Sequence, residues 1–243
     1  MRQDGRNWDQ LRKVKFTRRF TETAPGSVLI EAGKTMVLCT VSVDHKVPDF
    51  LAGKGVGWVT SEYAMLPAAG GQRKPRDRAG KVDGRSQEIQ RLVGRSLRAV
   101  VDTELLGEVT LWVDCDVLQA DGGTRCASIT GAYVALVDAV RSIEAEGVKF
   151  AKSPIKDNVA AISVGIVRGE VCVDLNYRED SKADVDMNLI MTGHGQIVEL
   201  QGTAEHKAFT REQLTQMLDA GQAACQELVG LQELALRQEP KSL

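Results

Sequence analysis

No apolar run in this chain is long enough to cross a bilayer: the longest stretches, such as Ala132 to Val137, fall far short of the roughly 20 residues that a spanning helix needs. The opening Met-Arg-Gln-Asp-Gly-Arg-Asn lacks the apolar segment of a secretory signal, and Arg2 stands where N-myristoylation needs glycine. These absences make a cytoplasmic protein with no membrane partner the expectation. Zinc spacing is missing too. The 5 cysteines, Cys39, Cys115, Cys126, Cys172 and Cys225, form no Cys-x-x-Cys pair or Cys/His cluster. Their odd number and mostly apolar neighbours suit small core residues in a reducing compartment. The 3 histidines, His45, His194 and His206, are far apart or without a motif, which leaves a histidine-based metal site or triad little support. Bias toward disorder is also absent, since 43% hydrophobic and 26% charged residues are near the averages for soluble domains.

A length of 243 residues suits one large domain or two modest ones. The net charge of -2 conceals an asymmetry. Basic residues cluster from Arg2 to Arg19 and from Arg73 to Arg98, whereas the C-terminal third is acidic. Such local stripes suit a polyanion on one surface of a protein that stays soluble elsewhere.

The first third reads as an antiparallel sheet: strands over Lys15 to Phe20, Ser27 to Ala32 and Met36 to Val43, with a hairpin turn at Ala32-Gly33-Lys34. Glu62-Tyr-Ala-Met-Leu-Pro67 leads into a segment, Ala68 to Lys81, without apolar periodicity, which predicts an exposed loop. From Arg85, apolar Ile89, Leu92, Val93, Leu97, Val100 and Val101 recur at helical spacing, with Arg91, Arg95 and Arg98 on other faces. A strand over Val109 to Leu118 alternates, and a helix follows over roughly Ala127 to Glu146, ending near Gly147. The plan then repeats, with strands over Val159 to Val167, Val171 to Leu175, Val185 to Met191 and Gln196 to Gln201, and a helix from Phe209 to about Gln232. Thr210-Arg-Glu-Gln213 has the form of a capping box for that helix. With no clear linker, this pattern predicts one compact α+β unit of two related halves, about 1–148 and 149–236, and a frayed tail over 237–243.

One stretch carries most of the chemistry. Asp114-Cys-Asp-Val-Leu-Gln-Ala-Asp-Gly-Gly-Thr-Arg-Cys-Ala-Ser128 runs a strand into a glycine pair and opens a helix with Thr124 and Arg125. Gly122 and Gly123 permit backbone angles that turn several N–H groups toward one point, the helix start adds a positive dipole end, and Arg125 adds a fixed cation. Arg85, in the first turn of its own helix, is placed to reach the same anion. A second group, Tyr177-Arg-Glu-Asp-Ser-Lys-Ala-Asp-Val-Asp-Met-Asn188, sets acids at 179, 180, 184 and 186 just before and inside a short strand; a third, Gly202-Thr-Ala-Glu205, follows Val198-Glu-Leu-Gln201.

At these residues the chain resembles the ribonuclease PH family, phosphate-dependent tRNA nucleotidyltransferases. The resemblance runs from Arg2-Gln-Asp-Gly-Arg6 through Gln201-Gly-Thr-Ala-Glu205 and is most specific at Glu62-Tyr-Ala-Met-Leu-Pro67, Glu88-Ile-Gln-Arg-Leu92, Asp114 to Arg125, Glu179-Asp-Ser181 and Asp186-Met-Asn188. His206-Lys-Ala departs from the family pattern, which affects only the local loop. The resemblance implies an α+β fold of two βαβα-type halves (ribosomal protein S5 domain 2-like), forming a homohexameric ring as a trimer of dimers. It implies phosphorolytic 3′-to-5′ trimming of tRNA precursors and other structured RNA 3′ ends, with inorganic phosphate as attacking group, nucleoside 5′-diphosphates as products and Mg²⁺ as the expected cofactor; rRNA precursors are a further expected class.

Residue by residue, the resemblance assigns phosphate to Arg85, Gly123, Thr124 and Arg125, and catalysis to Asp180 and Asp186. These acids either hold Mg²⁺ through oxygen ligands or one protonates the leaving 3′ oxygen, and the sequence leaves the two roles open. Asp184 shares a strand face with Asp186 and is the substitute for Asp180; Asp114, Asp116 and Asp121 have a weaker claim. Arg73, Lys74, Arg76 and Arg78, in a glycine-rich segment, are the expected RNA contacts, because backbone binding needs cations but no base-reading geometry. Only 5% of residues are aromatic, against a grip by extensive base stacking. A non-catalytic RNA-binding ring subunit is the alternative reading, and a hydrolytic nuclease a second, for which a phosphate pocket has no use.

Overall fold

The computed structural model describes residues 2–76 and 83–239. Strands β1 (Val14–Arg18), β2 (Gly26–Ala32) and β3 (Thr35–Asp44) form the antiparallel opening, with Gly33 at φ 60° between β2 and β3. The next strand, β4 (Trp58–Met65), was not anticipated, because only Val59 and Tyr63 are buried along it and the apolar alternation is weak. Helix α1 (Gly84–Ala99) and the single turn α2 (Thr103–Leu106) carry the chain to β5 (Thr110–Gln119), which pairs with β4 in parallel. A parallel pair needs such a crossover. The first sheet is therefore mixed, in the order β1-β2-β3-β5-β4.

Helix α3 (Thr124–Ala145) follows, and then a second, antiparallel sheet in the order β7-β6-β8-β9. It comprises β6 (Val159–Val167), β7 (Glu170–Val173), the single turn α4 (Tyr177–Asp180), β8 (Val185–Thr192) and β9 (Ile197–Ala204). Helix α5 (Arg211–Arg237) closes the chain, capped at Thr210 by the expected box with Gln213; it runs five residues past the expected end at Gln232, so Arg237 is helical. The architecture is α+β, as the pattern of two sheet-then-helix rounds implies.

The core is organised around α3, which packs on β2, β3 and β5 on one side and on β6 on the other. Ile129, Leu136 and Ile143 are fully buried along it. A helix apolar on all faces needs cover on all faces. By length and composition alone α3 would suffice to cross a membrane, yet 89% of its apolar window is buried inside the protein. Strand β6 is buried at every position, between α3 and α5. Gln232 ties the layers together by donating to the carbonyls of Thr130 and Val159, both at 2.9 Å.

The basic N-terminal stretch is not a surface stripe. Arg2, Arg6 and Arg12 are each less than 9% exposed, and Arg18 pairs with Asp138 of α3 at 2.5 Å. Arg6 also pairs with nearby Asp4 at 2.8 Å, but the carboxylates that hold Arg2, Arg12 and Arg18, namely Glu179, Asp174 and Asp138, lie more than a hundred residues away, where sequence neighbours give no sign of them. All 5 cysteines are buried and free.

Because Leu136 is fully buried in the core that α3 shares with strands of both sheets, Leu136→Ala should lower unfolding free energy by about 2 to 5 kcal/mol. Urea unfolding measures it; a loss below about 1 kcal/mol would mean that α3 is not the shared core element.

Candidate active site

Beyond β5 the chain turns through Asp121-Gly122-Gly123 into α3. Gly122 and Gly123 take φ of 76° and 64°, and Gly123 is the residue that caps α3. A Cβ on Gly122 would strike the backbone of Leu175, Asn176 and Tyr177, so glycine here lets the loop approach the segment leading into α4. Thr124 is buried and its hydroxyl shares a hydrogen bond of 2.9 Å with Tyr63 of β4. Its amide, in the first helical turn, has no intrahelical acceptor. The Arg125 guanidinium donates to Gln201 Oε1 of β9 at 2.9 Å and lies 3.3 Å from Glu88 Oε2 of α1. Arg85 is exposed at the start of α1, with no side-chain partner among the described residues.

The acids approach from the second sheet. Asn176 caps α4 through a capping box with Glu179, and this turn ends at Asp180. Asn-x-x-Glu is the local sequence signal for this turn, which lies just before the strand that carries Asp186. Glu179 points inward and pairs with Arg2 at 2.6 Å, so it belongs to the scaffold. Asp186 lies on β8, opposite Gly165 of β6 and Thr203 of β9. Burial pushes its carboxyl up to about 6, Asp180 adds to the rise, and Arg125 and Arg85 oppose it. Asp180 is raised as well, by burial, against the pull of Arg85 and Arg125. The same two arginines thus act on both acids, and residues of the two halves of the chain meet at one centre that holds both cations and acids.

Asp186 Oδ1 is buried without a hydrogen-bond partner among the described residues. An orphaned oxygen beside a second carboxylate suits a hard divalent cation. Mg²⁺ commonly uses one or two carboxylates and fills its remaining positions with water and phosphate oxygens. Among the described residues no set of three or more His, Cys, Asp or Glu is grouped as a metal cage.

Asp184 is held by backbone, donating to Ile166 and accepting from Glu205 and His206. Glu205, not singled out from the sequence as a site residue, raises both Asp180 and Asp186. Asp121 accepts from the Tyr177 amide at 3.3 Å and so joins the loop to α4. Asp114 and Asp116 are not brought to the centre: burial and then Glu62 raise them, on the face of the first sheet away from α3. Arg73, Lys74 and Arg76 are exposed, on a loop that leaves β4 beside the glycine turn before α3, where the Ala120 amide donates to the Ala69 carbonyl at 2.8 Å. Arg78 lies outside the described residues.

Two family models match, 3′ exoribonuclease family domain 1 over residues 10–142 and domain 2 over residues 157–224. The chain belongs to the 3′ exoribonuclease family. Among curated relatives of this family, Ribonuclease PH of Corynebacterium glutamicum (strain R) is 58% identical over 234 residues, covering 96% of this chain and 95% of the relative. Ribonuclease PH of Bacillus cereus (strain AH187) is 56% identical, covering 97% of each. In fold, the chain is similar to the crystal structure of rice (Oryza sativa) Rrp46, with a TM-score of 0.78 at 21% identity over 97% of this chain and 100% of that one. It is likewise similar to the Archaeoglobus fulgidus exosome with RNA bound to the active site, with a TM-score of 0.78 at 24% identity over 93% and 91% of the two chains.

A raised carboxyl pKa has a stability cost with a definite sign. Asp186 titrates near 6 in the folded chain against 3.8 ordinarily, so its protonated form stabilises the fold below about pH 4, and that contribution is lost as pH rises through 6. Asp186→Asn should therefore raise unfolding free energy by about 1 to 3 kcal/mol at pH 8 and by nearly nothing at pH 4, while lowering turnover at least about a hundredfold. Denaturant curves at both pH values check this; a gain of equal size at both would remove the electrostatic explanation.

Proposed function

We propose that this chain is a phosphorolytic 3′-to-5′ exoribonuclease, a tRNA nucleotidyltransferase that trims 3′-terminal nucleotides from tRNA precursors with inorganic phosphate. The carrying observation is the meeting of a glycine-loop helix start, two arginines and two carboxylates of raised pKa at one centre. Curated relatives more than half identical over nearly their whole length carry the name Ribonuclease PH.

The reaction brings two anions together. An oxygen of free phosphate attacks the phosphorus of the terminal RNA linkage, the bond from that phosphorus to the 3′ oxygen breaks, and a nucleoside 5′-diphosphate leaves. The departing 3′ oxygen gains a proton, balanced by the one that the attacking phosphate releases. Repulsion between the attacking and attacked phosphates has to be offset where water is partly excluded. Arg85, Arg125 and the amides of Gly123 and Thr124 supply that positive environment for the free phosphate. Asp180 and Asp186 would hold Mg²⁺, which when bound neutralises phosphate charge and polarises the linkage. The exchanged linkages are close in energy, so excess nucleoside diphosphate drives extension of the RNA 3′ end.

Arg73, Lys74 and Arg76, exposed on the loop beside the centre, are the proposed contacts for the body of the RNA, together with Arg78. A ring of six subunits, assembled as a trimer of dimers in the cytoplasm, is the proposed functional form, with rRNA precursors a further substrate class. A non-catalytic ring subunit is the competing reading, suggested by the exosome-type neighbours in fold. Such a subunit has no need of an orphaned, desolvated Asp186 beside a phosphate nest.

Arg125→Ala should raise the KM for phosphate by about 10- to 150-fold, the equivalent of roughly 1.5 to 3 kcal/mol for charge-assisted bonds, with a smaller fall in kcat. Steady-state phosphorolysis of a 3′-extended tRNA measures it; nucleoside monophosphates released in phosphate-free buffer would exclude the mechanism.

Replacing Arg73 and Arg76 by Ala should weaken tRNA binding and reduce the log-log salt slope by roughly 0.7 to 0.9 per lost contact, while a short unstructured oligonucleotide is trimmed at the normal rate. Unchanged affinity and slope would make this loop a solvated connector.

A further inference from the structure

In a trans peptide unit the N–H and C=O point in opposite directions, so a loop presents its amides outward only if its carbonyls are held inward. The loop before α3 is held in that way by two residues outside it. Arg12 Nη1 donates to the Asp121 carbonyl at 2.5 Å. Thr35 Oγ1 donates to the Gly122 carbonyl at 2.7 Å, a bond that Arg12 Nη2 supplements at 3.4 Å, and accepts from the Asp121 amide at 3.0 Å. The amides of Gly122 and Gly123 belong to the same two peptide units and have no acceptor among the described residues.

Arg12 is itself fixed. Its Nε and Nη2 grip Asp174 Oδ2 and Oδ1 at 2.9 and 2.7 Å, and its backbone amide donates to Oδ2 at 2.7 Å. Asp174 takes a φ of 55°, and its carbonyl accepts from Arg2 at 2.9 Å and Arg6 at 3.0 Å. Arg12 and Thr35 are 7% and 0% exposed, so both act from behind the loop. The planar guanidinium fork spans a carboxylate and two carbonyls at once, which an ammonium does not.

We propose that Arg12 and Thr35 are positioning residues of the phosphate site, which turn the Gly122 and Gly123 amides outward to receive the attacking phosphate. The inference rests on the phosphorolytic reading and deepens it. The loop is preorganised before phosphate arrives, so ordering it on binding is not charged against affinity.

The test is phosphorolysis of a short unstructured oligonucleotide by the intact enzyme and its Thr35→Val and Arg12→Lys variants, with folding checked by denaturant unfolding. Thr35→Val should raise the KM for phosphate about tenfold, with kcat within about threefold of wild type and the KM for oligonucleotide unchanged. Arg12→Lys, which keeps the charge but loses the fork, should raise it at least as much; if that variant does not fold, Thr35→Val decides alone. An unchanged KM for phosphate in folded Thr35→Val, or equal changes in the constants for phosphate and oligonucleotide, would overturn the inference while leaving a phosphorolytic wild type intact. Absence of phosphorolysis in wild type would overturn both readings.

Discussion

Helix α3 has to be buried over most of its length while the amides ahead of its first turn stay without acceptors among the described residues, and the rest of the molecule follows from that constraint. Its sides are apolar all round and are covered by the first sheet on one face and β6 on the other. The first turn therefore emerges where the two sheets meet. Thr124 is pinned to β4 through Tyr63, and Arg125 is braced from α1 and β9. The positive end of a long, immobile helix is thereby aimed at the place where the acids of the second sheet arrive.

Charge is used in two opposite ways. Behind the loop, Arg2 pairs with Glu179 and Arg12 with Asp174 in buried pairs whose remaining donors go mainly to backbone carbonyls, while Arg6 Nη2 beside them has no hydrogen-bond partner among the described residues and lies 3.6 Å from Glu179 Oε2. Such pairs add little net stability over apolar packing, but breaking one leaves an uncompensated buried charge. They fix geometry. In front of the loop the matching is incomplete: Arg85 has no partner among the described residues, and Asp186 carries an orphaned oxygen. In the proposed reaction the partners of these two groups come with the substrate.

The other strands, the long helices, the glycine loop and both chemical motifs were legible in the sequence because each rests on local rules: alternation, helical period, glycine's access to positive φ and the capping box at Thr210. Strand β4 was hidden because it pairs in parallel with a strand that comes much later, so no hairpin turn announces it. The basic run from Arg2 to Arg19 read as a surface because burial of an arginine is decided by a carboxylate elsewhere, here Asp174, Glu179 and Asp138.

The sequence by itself determined which residues have the chemistry to bind phosphate and carry acid, since residue type and local backbone freedom are sequence properties. The tertiary structure alone decided that Arg85, Arg125, Asp180 and Asp186 act on one another, that Asp186 is desolvated while Asp114 and Asp116 lie on another face, and that Arg12 and Thr35 stand behind the loop. Desolvation and Coulomb attraction depend on distance through space, and these residues are brought together only when two sheets close over one helix.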